Sequence, residues 1–322
     1  MNTQITNNPN TYESDARFSQ VHDNEIDLRE LFSVLWQGKW LIILITALFA
    51  IGSVIFAVMQ PNIYKSEVLL APASEEQAGG LSALASQFGG LASLAGVNLG
   101  SKGGTDKTQL AIEVLKSRQF TSDFIQKHNI LAELMAAEKW DRENNKIIYD
   151  PELYNEPNNT WVREVKAPLK PQPSMQEAYK EFSKIIAVNS AKDTGMVTIT
   201  VEHLSPVIAQ QWTTWLVEDI NKVMKERDVA EANRSSDFLN KQIALTNVAD
   251  IKAILYKLIE EQAKTIMFAE VRDEYVFKTI DPAFVPEEKA KPKRALICAL
   301  GTMLGGMLGI MFVLVRHFVR KD

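Results

Sequence analysis

Two long runs of apolar residues stand out from the mixed hydrophobic and polar pattern of the chain. Trp40 to Tyr64 contains no Asp, Glu, Lys or Arg over 25 residues, and Ala295 to Val315 contains none over 21. A hydrocarbon core of about 30 Å requires roughly 20 helical residues at about 1.5 Å each. The pattern therefore predicts two membrane-spanning helices, at residues 40–60 and 295–315.

The region between the two runs has shorter patterns that are typical of both strands and helices. β-branched and apolar residues predict strands at 64–72, 196–201 and 274–280, with Lys192-Asp-Thr-Gly195 as a hairpin turn. Helical spacing of apolar residues predicts helices near 107–117, 120–138 and 175–186. The predicted fold class is therefore an α+β membrane protein.

The most extended helical signal begins at Ser205-Pro206, an N-cap followed by proline at the first helical position. No Gly or Pro occurs between Pro206 and Pro282, which predicts a long helix at about 206–245 and a return helix at about 248–270. Asn247 is the expected cap of the return helix. Apolar residues predicted to be buried follow both helices: Trp212, Leu216, Ile220 and Val223 on the first, and Ile251, Leu255, Leu258 and Ile266 on the second. We expect this hairpin to protrude from a strand-containing base close to the membrane.

Charged residues replace the apolar face in the middle of the long helix. They are spaced so that oppositely charged neighbours could pair along the helix: Arg227, Glu231, Arg234 and Asp237. Such a segment either stands in solvent or faces another copy of itself. Because one helical pair cannot easily bury a tall, partly polar stalk, we predict a homo-oligomer with these residues at the subunit interface.

The segment before the first apolar run does not resemble a removable leader. Its 39 residues include six acidic and three basic side chains, whereas a signal peptide has a short basic region and an apolar core of about 7–15 residues. We therefore expect a tail at 1–39, a domain at 61–294 and a second tail at 316–322. With two spans, both tails lie on the same side of the membrane.

The orientation of the two spans is not determined by charge. Five Lys or Arg residues lie near the span ends on the side of the tails, and five lie on the side of the domain, so the positive-inside rule gives a tie. The single cysteine, Cys298, lies within the second predicted span and does not break the tie. The net charge of −5, the 46% hydrophobic content and the mean hydropathy of −0.10 give no further indication of the compartment.

Residues 79–104 are rich in Gly, Ala, Ser and Leu, and we interpret them as a loop that packs on a neighbour. A phosphate-binding loop ending at Lys107-Thr108 would need glycine at Ser101 and Asp106, so that alternative fails at both positions.

The sequence offers little chemistry for catalysis. None of the four histidines, His22, His128, His203 and His317, has a metal-ligand spacing, and neither Gly-x-Ser-x-Gly nor His-Glu-x-x-His occurs. We therefore expect no enzyme activity, no cofactor, no metal and no nucleic-acid partner.

Two clusters near the second predicted span are candidates for contacts with lipid or protein. Lys289, Lys291, Lys293 and Arg294 form a basic cluster that we interpret as a membrane-headgroup anchor, with a specific phospholipid or lipid-diphosphate site as the alternative. Gly301, Gly305 and Gly309 place small residues on one helix face, which favours close helix packing. The partner in that packing could be the first span, another subunit or another protein.

The order of these parts resembles the polysaccharide co-polymerases, specifically the Wzz-type O-antigen chain-length determinants. The resemblance covers nearly the whole chain after residue 25. It is carried by six segments and by the Pro/Lys stretch that follows the last of them: Ile26-Asp-Leu-Arg-Glu-Leu31, Pro61-Asn-Ile-Tyr-Lys-Ser66, Ala111-Ile-Glu-Val-Leu-Lys-Ser-Arg118, Thr194-Gly-Met-Val-Thr-Ile199, Leu258-Ile-Glu-Glu-Gln262 and Asp273-Glu-Tyr-Val-Phe-Lys-Thr-Ile-Asp-Pro282.

The resemblance implies a bacterial inner-membrane protein with cytoplasmic termini and a periplasmic domain. It also implies a ring-shaped homo-oligomer that regulates O-antigen chain length without catalysis, with a Wzy-type polymerase as partner and nascent polysaccharide as a further one. A co-polymerase for capsule or exopolysaccharide, working with a separate tyrosine kinase, is the alternative. A two-span ligand sensor and a polymerase enzyme are less well supported, because the tails are short and no clustered catalytic site is evident.

Overall fold

The computed structural model of the protein describes residues 28–73 and 103–321. The predicted loop at 79–104 lies outside these residues except for Gly103 and Gly104, which begin a helix. The helices are α1 (Leu28–Gln37), α2 (Lys39–Met59), α3 (Gly103–Leu115), α4 (Arg118–His128), α5 (Leu131–Met135), α6 (Met175–Ile185), α7 (Pro206–Leu245), α8 (Ala249–Val271) and α9 (Arg294–Lys321). The strands are β1 (Tyr64–Pro72), β2 (Ala137–Asp141), β3 (Lys146–Tyr149), β4 (Tyr154–Asn155), β5 (Thr160–Trp161), β6 (Ile186–Ser190), β7 (Val197–His203) and β8 (Phe277–Asp281).

The chain forms two compact units, of which the first contains the apolar helices. Helices α2 and α9 are both long and apolar enough to cross a membrane by length and composition. Two details of this unit differ from the sequence prediction. Residues 28–37 of the predicted tail form helix α1, and α9 continues to Lys321 through most of the predicted tail at 316–322.

The second unit, Val58–Arg294, is built on an antiparallel four-stranded sheet in the order β6-β7-β1-β8. Strand β1 occupies the predicted residues 64–72 and pairs with β7 in a register that sets Val68 opposite Ile199. Alternate side chains of these two strands point to one face of the sheet and are buried there. The observed mixture of helices and strands confirms the coarse α+β prediction.

Helix α7 supplies the main apolar face that packs on the sheet. Trp212, Leu216 and Ile220 are at most 1% exposed, as predicted, and Met224 rather than Val223 completes the buried row. Burying each such side chain contributes about 1.5–3 kcal/mol relative to leaving it in water. The first half of α7 is thereby fixed to the sheet.

The predicted helix at 120–138 is wrong in its second half. Helix α4 ends at His128 because Asn129 adopts a left-handed conformation with φ 53° and donates its backbone N–H to the carbonyls of Gln126 and Ile125. Asn is one of the few residues that tolerate this conformation, so it ends helices as glycine does. The chain then forms the short helix α5 and the hairpin of β2 and β3.

A proline-rich crossover precedes α6 and is held by one arginine. Arg163 donates from Nε to the carbonyl of Pro171 at 2.6 Å and from Nη2 to that of Lys170 at 2.9 Å. The same guanidinium forms an ion pair with Glu177 at 2.9 Å, and Glu177 closes a capping box with Ser174 at the start of α6. Arg163 therefore fixes the crossover to the helix that follows it.

Helices α7 and α8 contact each other and are joined by Thr246, Asn247 and Val248. Helix α7 has the predicted bounds, with the Ser205 hydroxyl accepting the N–H of Ile208 at its start. The predicted cap at Asn247 is wrong. Val248 occupies the cap position and donates its N–H to the Thr246 hydroxyl at 3.4 Å, because a local turn at Thr246 replaces a side-chain cap.

Candidate functional site

The two segments that connect the sheet to the apolar helices meet side by side. Ile63 and Lys291 form an isolated antiparallel bridge, in which the N–H of Ile63 donates to the Lys291 carbonyl at 3.0 Å. The Ile63 carbonyl in turn accepts the N–H of Ala290 at 2.8 Å. Arg294 Nη2 donates to Asn62 Oδ1 at 3.2 Å. The chain therefore enters and leaves the domain at one place, which we call the connector.

The predicted basic cluster lies at the connector, and its members have different surroundings. Lys291 Nζ forms an ion pair with Glu202 Oε2 on β7 at 2.6 Å, so this lysine is tied to the sheet. Lys289 and Lys293 are exposed, whereas Arg294 is half-buried. An ion pair as exposed as that of Lys291 contributes little to stability. The cluster is thus suited to presenting positive charge at the surface rather than to holding the fold together.

Two side chains from the domain fix the backbone that precedes this cluster. The Ser66 hydroxyl, which is fully buried, donates to the Phe284 carbonyl at 2.9 Å, and Gln210 Nε2 donates to the Ala283 carbonyl at 3.4 Å. The side chains of Phe284 and Val285 remain 55% and 46% exposed. Sequence reasoning missed this arrangement, although a serine among the inward-facing residues of β1 was a signal that its hydroxyl bonds to something buried.

The glycine stripe of α9 faces α2 within the same chain. A Cβ atom on Gly305 would lie 2.6 Å from Phe49 Cβ, and one on Gly309 would lie 3.2 Å from Ile42 Cα. A Cβ atom on Gly301 would come at least as close to Ser53 Cβ. The sequence left three possible packing partners for these glycines. In the structure the partner is α2, the first predicted span. Side chains at these positions would force the two helices apart.

A further glycine of the same kind was not predicted. A Cβ atom on Gly38, between α1 and α2, would lie 2.5 Å from Cγ1 of Val313 on α9. This contact sets the register of the two apolar helices at one end. No sequence pattern marked Gly38, because a single glycine has no repeat.

The predicted interface residues on α7 are all exposed: Arg227, Glu231, Arg234 and Asp237. The pairing predicted for them along the helix is wrong, because the ion pairs found among residues 28–73 and 103–321 do not include any between two of these four. Their charged ends extend into solvent instead. They are therefore available to another molecule, and their place at a subunit interface stays a prediction.

Helix α8 exposes apolar side chains that were predicted to be buried. Ile251, Ile254 and Leu258 are 45%, 48% and 39% exposed and recur at intervals of three and four residues, which places them on one face. The predicted burial of Ile251 and Leu258 is thus wrong for the single chain, because α7 covers a different side of α8. We call these three residues the α8 stripe. A contiguous apolar face of this kind is typical of an interaction surface.

Where the hairpin meets the sheet, its polar groups are buried and bonded. Asn221 is 5% exposed, accepts the N–H groups of Val276 and Phe277 at 2.8 and 2.9 Å, and donates to the Phe277 carbonyl at 3.1 Å. Further along α7, Asp228 accepts the Tyr275 hydroxyl at 2.7 Å and lies 3.2 Å from Lys107 Nζ. The start of strand β8 and the residues just before it are therefore hydrogen-bonded to α7.

A second buried group lies on the other side of α7. Asp219 is 6% exposed, accepts from His128 Nε2 at 2.9 Å and forms an ion pair with Lys127. The imidazole of His128 stacks on Trp215 with ring centroids 4.1 Å apart. This arrangement explains His128 as a residue that joins α4 to α7, in keeping with its lack of a metal-ligand spacing.

Two further titratable groups have perturbed pKa values for a structural reason. Burial lowers the pKa of His203 from 6.5 to about 4. Its Nδ1 accepts the N–H of Ser205 at 3.0 Å, so the proton of the neutral ring lies on Nε2, which faces the Glu133 carbonyl at 3.3 Å. Burial also raises the pKa of the Glu133 carboxyl. Among the described residues, no three or more His, Cys, Asp or Glu side chains are grouped as metal ligands would be.

Comparison with known proteins gives matches at both ends of the chain. The family model described as Wzz, chain length determinant protein, matches residues 24–128. A second model, described as a G-rich domain on putative tyrosine kinase, matches residues 246–318. No curated protein sequence matches the chain significantly.

Two solved structures of co-polymerases are among the matches to this chain. A full-length bacterial polysaccharide co-polymerase is 13% identical, with a TM-score of 0.37, and the match covers 92% of this chain and 99% of the other. A fragment of WzzB, a polysaccharide co-polymerase from Salmonella Typhimurium, is 11% identical, with a TM-score of 0.30, and the match covers 71% of this chain and all of the other. The match of residues 24–128 to the Wzz family model confirms the resemblance to the polysaccharide co-polymerase family that was stated from the sequence.

Proposed function

We propose that the protein is a non-catalytic regulator of O-antigen chain length in lipopolysaccharide. It acts as an oligomeric scaffold in the bacterial inner membrane, together with a Wzy-type polymerase and the growing polysaccharide. The match of residues 24–128 to the chain length determinant family model supports control of polysaccharide length. The observation that carries the scaffold role is the exposed apolar α8 stripe, together with the exposed charges of α7.

In this proposal both termini are cytoplasmic and the domain from Val58 to Arg294 is periplasmic. Helices α2 and α9 cross the membrane, and the connector faces the outer leaflet, where Lys289 and Lys293 contact lipid headgroups. Alkaline phosphatase fused within the domain should be active, whereas the same enzyme fused after Lys321 should be inactive. The opposite result would reverse the orientation without affecting the fold.

The assembly part of the proposal is tested on the α8 stripe. Changing Ile254→Asp together with Leu258→Asp should convert the detergent-solubilised oligomer to smaller species in size-exclusion chromatography with light scattering, because two carboxylates cannot be desolvated in an apolar contact. Ala253→Asp, an exposed position on the other side of α8, is the matched control and should leave the oligomer intact. An unchanged oligomer in the double variant would exclude the stripe as an interface.

The biological part is tested by deleting the gene in its host and separating the lipopolysaccharide on a silver-stained gel. A clustered distribution of chain lengths should become an unregulated ladder and return when the intact gene is supplied. Complementation with the Ile254→Asp, Leu258→Asp variant should fail if assembly is needed for regulation. An unchanged distribution after deletion would reject the O-antigen function.

The glycine stripe gives the proposal a second structural requirement. Gly305 and Gly309 allow α2 and α9 to pack closely, so that the two spans of each subunit form one unit that a polymerase could contact. Loss of chain-length control in a Gly305→Leu variant that still assembles would support this role. Normal control in that variant would remove the stripe from the mechanism.

A second candidate function is regulation of capsule or exopolysaccharide synthesis with a separate tyrosine kinase. The specific observation in its favour is the match of residues 246–318 to a domain described as occurring on putative tyrosine kinases. The two candidates differ in the polymer that changes on gene deletion. Altered capsule or secreted polymer with unchanged lipopolysaccharide would favour this second function.

A further inference from the structure

Helix α1 has two faces of opposite character just before the first apolar helix. Phe32 and Trp36 lie on one face with their rings stacked, 6.1 Å between centroids, and are 67% and 63% exposed. Ser33 and Gln37 lie on another face, joined by a hydrogen bond of 3.4 Å from Gln37 Nε2 to the serine hydroxyl. Both pairs have a spacing of four residues, so each forms a row along the helix.

The apolar side of α1 is only partly covered by the protein. Val34, at the opposite edge of the apolar side, is only 9% exposed, whereas Phe32 and Trp36, which form the aromatic row, are largely exposed. A helix in contact only with water would have no reason to display two large aromatic side chains in a row beside a buried valine. The exposed row of Phe32 and Trp36 therefore indicates a contact with something else, which the described residues of the chain do not supply.

The position of α1 along the chain identifies that contact. Helix α2 begins at Lys39 and has 21 residues, which span about 31 Å at 1.5 Å each and so fill the hydrocarbon core. Gly38, the residue between the two helices, packs against Val313 near the end of the apolar part of α9. Helix α1 thus ends at Gln37, and only Gly38 separates it from the span.

The residues at this junction are those that occur at a membrane–water interface. Trp40 is 75% exposed, and Nζ of Lys39 lies 4.6 Å from the ring centroid of Trp36. Tryptophan is enriched at the headgroup level, and lysine near a span end directs its ammonium group to the headgroups. Trp36, the last aromatic residue of α1, thus lies close in sequence to this interfacial pair.

We propose that α1 is an interfacial helix that lies on the bilayer surface. Phe32 and Trp36 insert among the upper acyl chains, while Ser33 and Gln37 face water. The inference rests on the proposed function only in taking α2 as a membrane span. Its partner is the lipid surface itself, and a protein that covers the same row is the competing outcome.

Spin labelling of the full-length protein in liposomes of phosphatidylethanolamine and phosphatidylglycerol tests the inference. Cys298 is the only native cysteine, so a Cys298→Ser parent accepts single cysteines at positions 32, 33, 36 and 37. Ala47, exposed in the middle of α2, serves as the lipid reference. Collisions of each label with oxygen, which is concentrated in lipid, are compared with collisions with a water-soluble nickel chelate.

We expect the oxygen-to-nickel ratio to be severalfold higher at 32 and 36 than at 33 and 37, but lower than at 47, which lies deeper in the bilayer. Strong nickel collisions at all four positions would place α1 in water and overturn the inference. Shielding of 32 and 36 from both reagents would mean a protein contact and would overturn it too. Strong nickel collisions at 47 would instead reject α2 as a span, which separates failure of the proposed topology from failure of this inference alone.

Discussion

Replacing Asn221 by alanine should destabilise the domain more than any surface change on the same helix. Asn221 is buried, and its amide makes three hydrogen bonds to the backbone of Val276 and Phe277. Strand β8 is at the edge of the described sheet and has β1 as its only neighbour there, so no further strand of that sheet is available to bond these backbone groups. The substitution therefore leaves two N–H groups and one carbonyl without partners.

The expected loss follows from these three groups. Each buried polar group left unpaired costs about 1–3 kcal/mol. Taking the lower part of that range for each group, and allowing about 0.7 kcal/mol for the better helix propensity of alanine, gives a net loss of about 3 kcal/mol. For a domain of this size, about 1 kcal/mol corresponds to about 2–4 °C, so the melting temperature should fall by about 6–12 °C.

The assay is thermal unfolding of the detergent-solubilised full-length protein, followed by tryptophan fluorescence and near-ultraviolet circular dichroism. Asn233→Ala is the matched control, because Asn233 is on the same helix but exposed. It removes the same chemical group and gains the same helix propensity, so its melting temperature should be unchanged or slightly higher. A difference of less than about 1 kcal/mol between the two variants would refute the assignment of Asn221 as the bond between α7 and β8.

Three further predictions concern other parts of the molecule. Gly305→Ala should lower the stability of the detergent-solubilised protein, because its Cβ would lie 2.6 Å from a carbon atom of α2, whereas Gly306→Ala should be neutral, with the nearest atom 3.9 Å away. His203 has a folded-state pKa of about 4 against 6.5, so the unfolded chain binds the proton first as the pH falls. The stability that the neutral ring provides is present above pH 6.5 and lost between 6.5 and about 4, amounting to about 3 kcal/mol, and His203→Gln should remove that slope in urea titrations at several pH values. Arg163→Ala should speed cleavage of the proline-rich crossover in limited proteolysis, because two carbonyls and a carboxylate lose their donor, while Lys166→Ala at an exposed position should not.

The parts of the fold that the sequence predicted well are those with local signals. The charge-free runs marked α2 and α9, since stretches of about 20 residues without charge are rare in chains that do not enter a membrane. Ser205 and Pro206 fixed the start of α7, because an N-cap and a first-turn proline act within a few residues of each other. Strand β1 was equally well marked by its composition.

The parts that the sequence did not predict depend on contacts between distant residues. Asn221 looks like any other polar residue of a helix until β8 is placed beside it, 55 residues further along the chain. Ser66 bonds to Phe284 across 218 residues, and Gly38 faces Val313 from the opposite end of the chain. No periodic pattern of residues in the sequence indicates such pairs. They require the positions of other elements, which a single sequence does not supply.

The α8 stripe shows a different limit: Ile251 and Leu258 were predicted to be buried and are exposed in the single chain, and Ile254 beside them was not predicted. Ile251, Ile254 and Leu258 have the spacing of a buried helix face, yet α7 leaves them exposed. The same pattern is produced by a face buried within one chain and by a face buried between chains, because both are selected by removal of apolar surface from water. The charged residues of α7 were assigned to the subunit interface from the sequence, but exposed charges gain little from pairing in solvent. If the assembly is held as proposed, the apolar stripe therefore supplies most of its stability, while the charges of α7 select the register in which neighbouring subunits meet.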